Sequence, residues 1–163
     1  MRVQPAIVLT VAVIVLTTIV SGPALSLVDL TASGTLSGTD LGEGSVTVGS
    51  VTLPDTVTFE RGDFGAGSYY LTVPAATVEL DDVVGRPILS YEVTVHDLGF
   101  TRSTIEIISA ESEGTMELTL DEAAFGEHQI RNQSYAGRLR VDVRYGGQEH
   151  VLASKNVTIE VVE

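Results

Sequence analysis

The chain has 163 residues, no cysteine, and 22 acidic against nine Lys and Arg side chains, for a formal charge of −13. This excludes disulfides, thiolate metal sites, cysteine nucleophiles and a lipidated lipobox cysteine. It also argues against nucleic acid or an anionic lipid surface as partner, because Lys and Arg supply most of the affinity for phosphate.

Residues 6–20 read AIVLTVAVIVLTTIV, with Arg2 before them and Ser-Gly-Pro-Ala-Leu-Ser after. A charged start, an apolar run and then small residues is the order of a signal peptide. Ala24 and Ser26 both offer cleavage points, while the 18 uncharged residues Val3–Val20 also suffice for a retained membrane anchor. In both cases Arg2 favours a cytoplasmic N-terminus. The expected organisation is a leader or anchor over 1–26 and one domain over 27–163. That domain is expected at the extracellular face of the cytoplasmic membrane or secreted. A membrane is a partner only through an uncleaved leader.

Beyond residue 26 apolar and polar residues alternate with a period of two, which puts successive side chains on opposite faces of a strand. Such runs occur at 28–36, 45–48, 51–60, 68–73, 75–80, 88–95, 101–108, 114–120, 135–145, 148–154 and 156–162. In Ile88–Val95, Leu89, Tyr91, Val93 and Val95 share one face and Ser90, Glu92 and Thr94 the other. Gly49 separates two runs of opposite phase, a sign of a turn or bulge. Pro54, Pro74 and Pro87 mark strand ends. Asp121–Gln133 reads as the one non-strand stretch, with a helical turn capped by Asp121. The C-terminal runs form a three-strand meander in which Gly146-Gly147 makes a two-residue turn, so that Tyr145 pairs with Gln148 and Arg144 with Glu149. The predicted fold is all-β, a two-sheet antiparallel β-sandwich of immunoglobulin-like or jelly-roll-like type after the N-terminal hydrophobic helix.

Both asparagines of the chain, Asn132 and Asn156, stand in N-x-S/T acceptor triplets, which in an exported protein marks them as candidate glycosylation sites. Arg138, Arg140 and Arg144 form a basic stripe on one strand, with Arg131 upstream. The stripe suits an acidic glycan, a carboxylate-bearing envelope protein or a neighbouring subunit, or else it pairs with Asp142, Glu149 and other carboxylates of its own chain. Arg61-Gly62-Asp63 reads as a loop. Phe59 and Tyr69 fit core-facing phases, with Phe64 and Tyr70 nearby. The acidic turns Asp40/Glu43 and Asp81-Asp82 lack a twelve-residue calcium loop and read as solvated. His96, His128 and His150 are scattered and no HExxH or G-x-S-x-G occurs, so no catalytic residue, metal site or cofactor is assigned.

Thirteen Glu and nine Asp against eight Arg and one Lys resemble the composition of proteins from salt-loving archaea. At molar salt the repulsion between surface carboxylates is screened while net charge still favours solubility. In the C-terminal half of the chain, Ser90-Tyr91-Glu92-Val93, Tyr135-Ala136-Gly137-Arg138-Leu139 and Asn156-Val157-Thr158-Ile159-Glu160-Val161 resemble small exported proteins of haloarchaea. That resemblance implies compartment and class and contributes no catalytic residue. The expectation is a non-catalytic envelope module, structural or partner-binding. Its main rival is a subunit of an extracellular assembly in which 27–36 completes a neighbour's sheet, and the third class is an enzyme of unidentified type, which a cleft gathering a histidine, a carboxylate and a hydroxyl would support.

Overall fold

A computed structural model describes residues 41–62 and 67–162. The leader, the run at 28–36, Asp40 and residues 63–66, among them Asp63 and Phe64, lie outside the described residues. In chain order the strands are β1 (Gly44–Thr52), β2 (Val57–Arg61), β3 (Ser68–Thr72), β4 (Ala76–Gly85), β5 (Ile88–Val95), β6 (Phe100–Ile107), β7 (Gly114–Leu118), β8 (Ala123–Gly126), β9 (Ser134–Tyr145) and β10 (Gln148–Val162). They form a three-stranded sheet, β1-β4-β7, and a seven-stranded sheet, β6-β5-β9-β10-β2-β3-β8. The predicted β-sandwich is therefore the fold. Read as A, B, E and as C′, C, F, G, the strands β1, β4, β7 and β6, β5, β9, β10 follow the immunoglobulin order, and β2, β3 and β8 extend the larger sheet. Neighbouring strands run antiparallel except β2 and β10, which are parallel.

Alternation decides which face is buried. Leu89, Tyr91, Val93 and Val95 of β5 and Leu139, Val141 and Val143 of β9 are all buried on the inner face of the larger sheet. The Tyr91 hydroxyl donates to the Pro74 carbonyl at 3.1 Å, and burial holds the phenol well above its ordinary titration range. Gly137 is needed where β9 passes Ile159. A Cβ there would lie 2.7 Å from Ile159 Cδ1 and 3.1 Å from the Thr94 carbonyl.

Four aromatic rings run through the core in edge-to-face contacts. Phe100 of β6 meets Phe125 of β8 with centroids 4.9 Å apart, Phe125 meets Phe59 of β2 at 5.2 Å, and Phe59 meets Tyr135 of β9 at 5.5 Å. Since β6 and β8 are the two edges of the seven-stranded sheet, this sheet curls until its edges meet. Arg102 of β6 adds hydrogen bonds from Nη1 to the carbonyls of Asp121 and Glu122, just ahead of β8. The Tyr135 hydroxyl accepts from the amides of Arg131 at 2.7 Å and Asn132 at 3.0 Å, and donates to the Gln129 carbonyl at 3.4 Å. A tyrosine at the start of strand F, bonded to the backbone a few residues upstream, is the tyrosine corner of immunoglobulin-type sandwiches.

Several local expectations need correction. Asp121 caps no helical turn, because Ala123 and Phe125 alternate into the core as β8 and pair with Leu71 and Tyr69. The runs at 148–154 and 156–162 are one strand, β10. A bulge at Leu152 absorbs their phase difference, so the meander is a long hairpin. The run at 51–60 is broken, since β1 ends at Thr52 and β2 begins at Val57, with Pro54 between. Gly49 is a bulge within β1 rather than a turn, opposite a second irregularity that places Asp81 and Asp82 inside β4 and not in a turn. The Gly146-Gly147 turn is as expected, with φ of 56° and 73° and Tyr145 opposite Gln148.

Replacing Phe59 by Ala removes the ring that joins Phe125 to Tyr135 and is expected to lower the unfolding free energy by about 3–5 kcal/mol in denaturant melts. Tyr135→Phe keeps the ring and loses the latch; its expected loss is smaller, about 1–3 kcal/mol, because two amides lose their acceptor.

Candidate binding face

The phase of β6, β5, β9 and β10 that the core does not use turns outward, and register arranges it in rows. Reading across β6, β5, β9 and β10, one row is Thr101, Thr94, Arg138 and Asn156, and the next is Ser103, Glu92, Arg140 and Ser154. Ile105, Ser90, Asp142 and Val151 follow, and then Ile107, Ile88, Arg144 and Glu149. The arginine stripe thus runs down the middle of an open four-stranded face.

Its three members meet different surroundings. Arg140 donates from Nε to Asp142 Oδ1 at 2.7 Å and from Nη2 to Glu149 Oε1 at 2.9 Å. The pairing with its own chain's carboxylates therefore holds for this residue. Arg144 lies directly opposite Glu149, as the register requires, but the carboxylate goes to Arg140. Among the described residues Arg144 makes no ion pair. Arg138 sits beside Asn156, and its Nε is buried without a hydrogen-bond partner.

Asp142 is 6% exposed and is the one buried charged or polar residue among those described. Burial pushes its carboxyl above the ordinary value of 3.8, outweighing the Arg140 hydrogen bond and charge, which act in the opposite direction. Beside it lies a small pocket of about 120 Å³, lined by Ile88, Ser90, Ile105, Asp142, Arg144 and Glu149.

Asn156 and Asn132 are both exposed. Each borders a groove, one of about 520 Å³ that also holds His96, Ser134 and Thr158, and one of about 570 Å³ around Arg131, Gln133 and Glu160. The three histidines stay apart. His96 lines the first groove, where neighbouring Asp97 accepts from the Ala136 amide at 3.4 Å and so docks the turn on β9. His128 packs near Gly126, and His150 stacks on Tyr145 with centroids 4.8 Å apart. Among the described residues no group of His, Asp and Glu gathers to hold a metal ion. Phe59 and Tyr69 are core residues, and Tyr70 is exposed.

Reading the sequence alone missed the exposed apolar residues of the outward face. Ile105 and Ile107 share the phase of Thr101 and Ser103, opposite to Phe100, and that phase was the signal for their exposure.

No family model matches the sequence, and no curated protein matches it. Among solved structures it is similar to a crystal structure of a glycosyl hydrolase family 2 member from Bacteroides cellulosilyticus, at 12% identity and a TM-score of 0.36. The match covers 74% of this chain and 14% of that one, so this chain spans a small part of that protein.

The raised Asp142 value has a definite sign. The folded chain holds this proton more tightly than the unfolded chain, so Asp142 contributes less stability as pH rises from 3.8 through its folded value, and its contribution is level above that. In denaturant melts at constant high salt, the unfolding free energy of the parent relative to Asp142→Asn is expected to fall as pH rises across that window. A rise across the same window overturns the assignment.

Proposed function

We propose that this protein is a non-catalytic module of the cell envelope of a salt-loving archaeon, exported by its leader and binding an envelope partner through the outward face of β6-β5-β9-β10. The observation that carries this reading is the face itself. It is a broad open sheet surface on which exposed Ile105 and Ile107 of β6 and Val151 of β10 lie to either side of the arginine stripe on β9, and exposed apolar residues with arginine are what protein interfaces use. The leader sets the compartment, either at the outer surface of the cytoplasmic membrane or beyond it. The acidic composition suits molar salt.

Asn132 and Asn156 carry glycans in this reading. Their exposure supports it, since attachment needs an accessible side chain. Asn156 stands at the Arg138 end of the face, away from Ile107 and Glu149, so a sugar there leaves the apolar end open.

Two measurements on protein from its native cells check the proposal. Cell fractionation should place the chain with the membrane or the medium, and recovery from the cytosol would sink the envelope role. Intact mass should exceed that of the polypeptide, with the excess dropping in steps for Asn132→Gln and Asn156→Gln. A mass equal to the bare chain ends the glycan assignment.

A further inference from the structure

We infer that the partner bound by the outward face of β6-β5-β9-β10 is a second copy of this chain, in a two-fold dimer. The inference rests on the proposed role as a partner-binding module and names the partner.

Charge supplies the first argument. The four rows hold three arginines, Arg138, Arg140 and Arg144, against three carboxylates, Glu92, Asp142 and Glu149. The other described residues hold five basic and fifteen acidic side chains. Two copies repel through most of their surface, and like-charge juxtaposition suppresses contact there. The neutral face is where that repulsion is least.

Hydrophobicity supplies the second. Ile105 is 64% exposed, Val151 56% and Ile107 44%. All three lie on this face, in adjoining rows.

Register supplies the third. An isologous contact requires a surface complementary to itself. Consider a two-fold axis lying in the contact plane and running along the strands between β5 and β9. It lays β6 of each copy over β10 of the other, and β5 over β9. The rows then set Ile105 of one copy over Val151 of the second copy, and Glu92 over Arg140. Arg144, which makes no ion pair among the described residues, comes over Ile88 at the small pocket. In no row do two like charges meet. The Ser103 and Ile105 rows, with opposite charges and apolar residues in symmetry-related places, form the centre of the contact, Ile107 comes over Glu149, and the Asn156 row lies at the end of the contact, which a glycan on Asn156 bounds.

The absence of cysteine makes the geometry directly testable. Full-length Ile105→Cys and Val151→Cys chains are co-expressed at high salt, treated with a short bis-maleimide matched to the ~10 Å spacing of stacked sheets and run on a denaturing gel, beside each variant alone. The expected result is a covalent dimer from the mixture and little from either variant alone. By light scattering, the parent chain is expected to be dimeric at high salt, and Ile105→Lys/Val151→Lys should weaken its association by more than tenfold with an unchanged far-ultraviolet circular dichroism spectrum. Cross-linking of either variant alone as readily as the mixture overturns the inference, as does a parent chain that stays monomeric. A monomeric chain that still retains a different envelope protein, and loses it on Ile105→Lys, also overturns the second-copy inference while leaving the binding-module reading in place.

Discussion

The contact between Phe100 and Phe125 joins the two edges of one sheet, and much of the molecule follows from it. Sheets twist, but a seven-stranded sheet does not bring its edges together without side chains to hold them. Here Phe59, in contact with both Phe125 and Tyr135, fills the space that the curl encloses. The parallel pairing of β2 with β10 is part of the same solution. It adds the β2-β3-β8 extension beyond strand G, which carries Phe59 and Phe125 round to face Phe100. Tyr135 belongs to both systems, with its ring in the aromatic chain and its hydroxyl fastening the loop that leads from β8 into β9. The edge contact and the loop geometry are therefore coupled through one side chain.

A closed interior leaves the outside for the binding proposed above. The inner phase of β5 and β9 is fully used by core residues, so the opposite phase is free to be polar, charged or apolar without cost to closure. Asp142 and Ile88 are the exceptions, in the outward phase but buried, and Asp142 is a carboxylate. A buried ion pair is weak evidence of stability, since desolvation offsets much of the Coulombic gain. Its effect is on geometry: Arg140 is held by Asp142 and reaches Glu149, which removes the carboxylate that faces Arg144 across the ladder.

The strands themselves were legible because one face of each is wet and the other dry. Leu89, Tyr91, Val93 and Val95 needed only the period of two, and the Gly146-Gly147 turn needed only the two positive φ values that glycine permits. What the period does not carry is pairing between distant segments. Ala123–Gly126 has four residues and only two core positions, too few for alternation to register, and it becomes a strand because Ser68–Gly126 and Leu71–Ala123 bracket its partner β3. The bulge at Leu152 splits one strand into two apparent ones for the same reason, since a phase reversal and a turn look alike in one dimension. For the proposed face, the arginines and Asn156 stood out by type. The exposure of Ile105 and Val151 depends on which phase the core takes, which is a property of the sheet and not of the residue.

Acidity and recognition are linked through salt. A surface that carries fifteen carboxylates against five cations outside the binding face has long-range repulsion toward any acidic neighbour, including its own kind. At about 1 M salt the Debye length is about 3 Å, shorter than the separation of most surface charges, and this repulsion fades. Contacts closer than that length still feel individual charges, so the distribution of Glu92, Arg140 and Arg144 decides orientation once two molecules touch. Burial of Ile105 and Val151 is insensitive to screening and supplies attraction that salt does not remove. High salt thus takes away the barrier to approach and leaves both the apolar attraction and the short-range charge pattern in force. The proposed dimer would on this account associate in brine and separate when the salt is diluted, the reverse of an interface held by long-range charge.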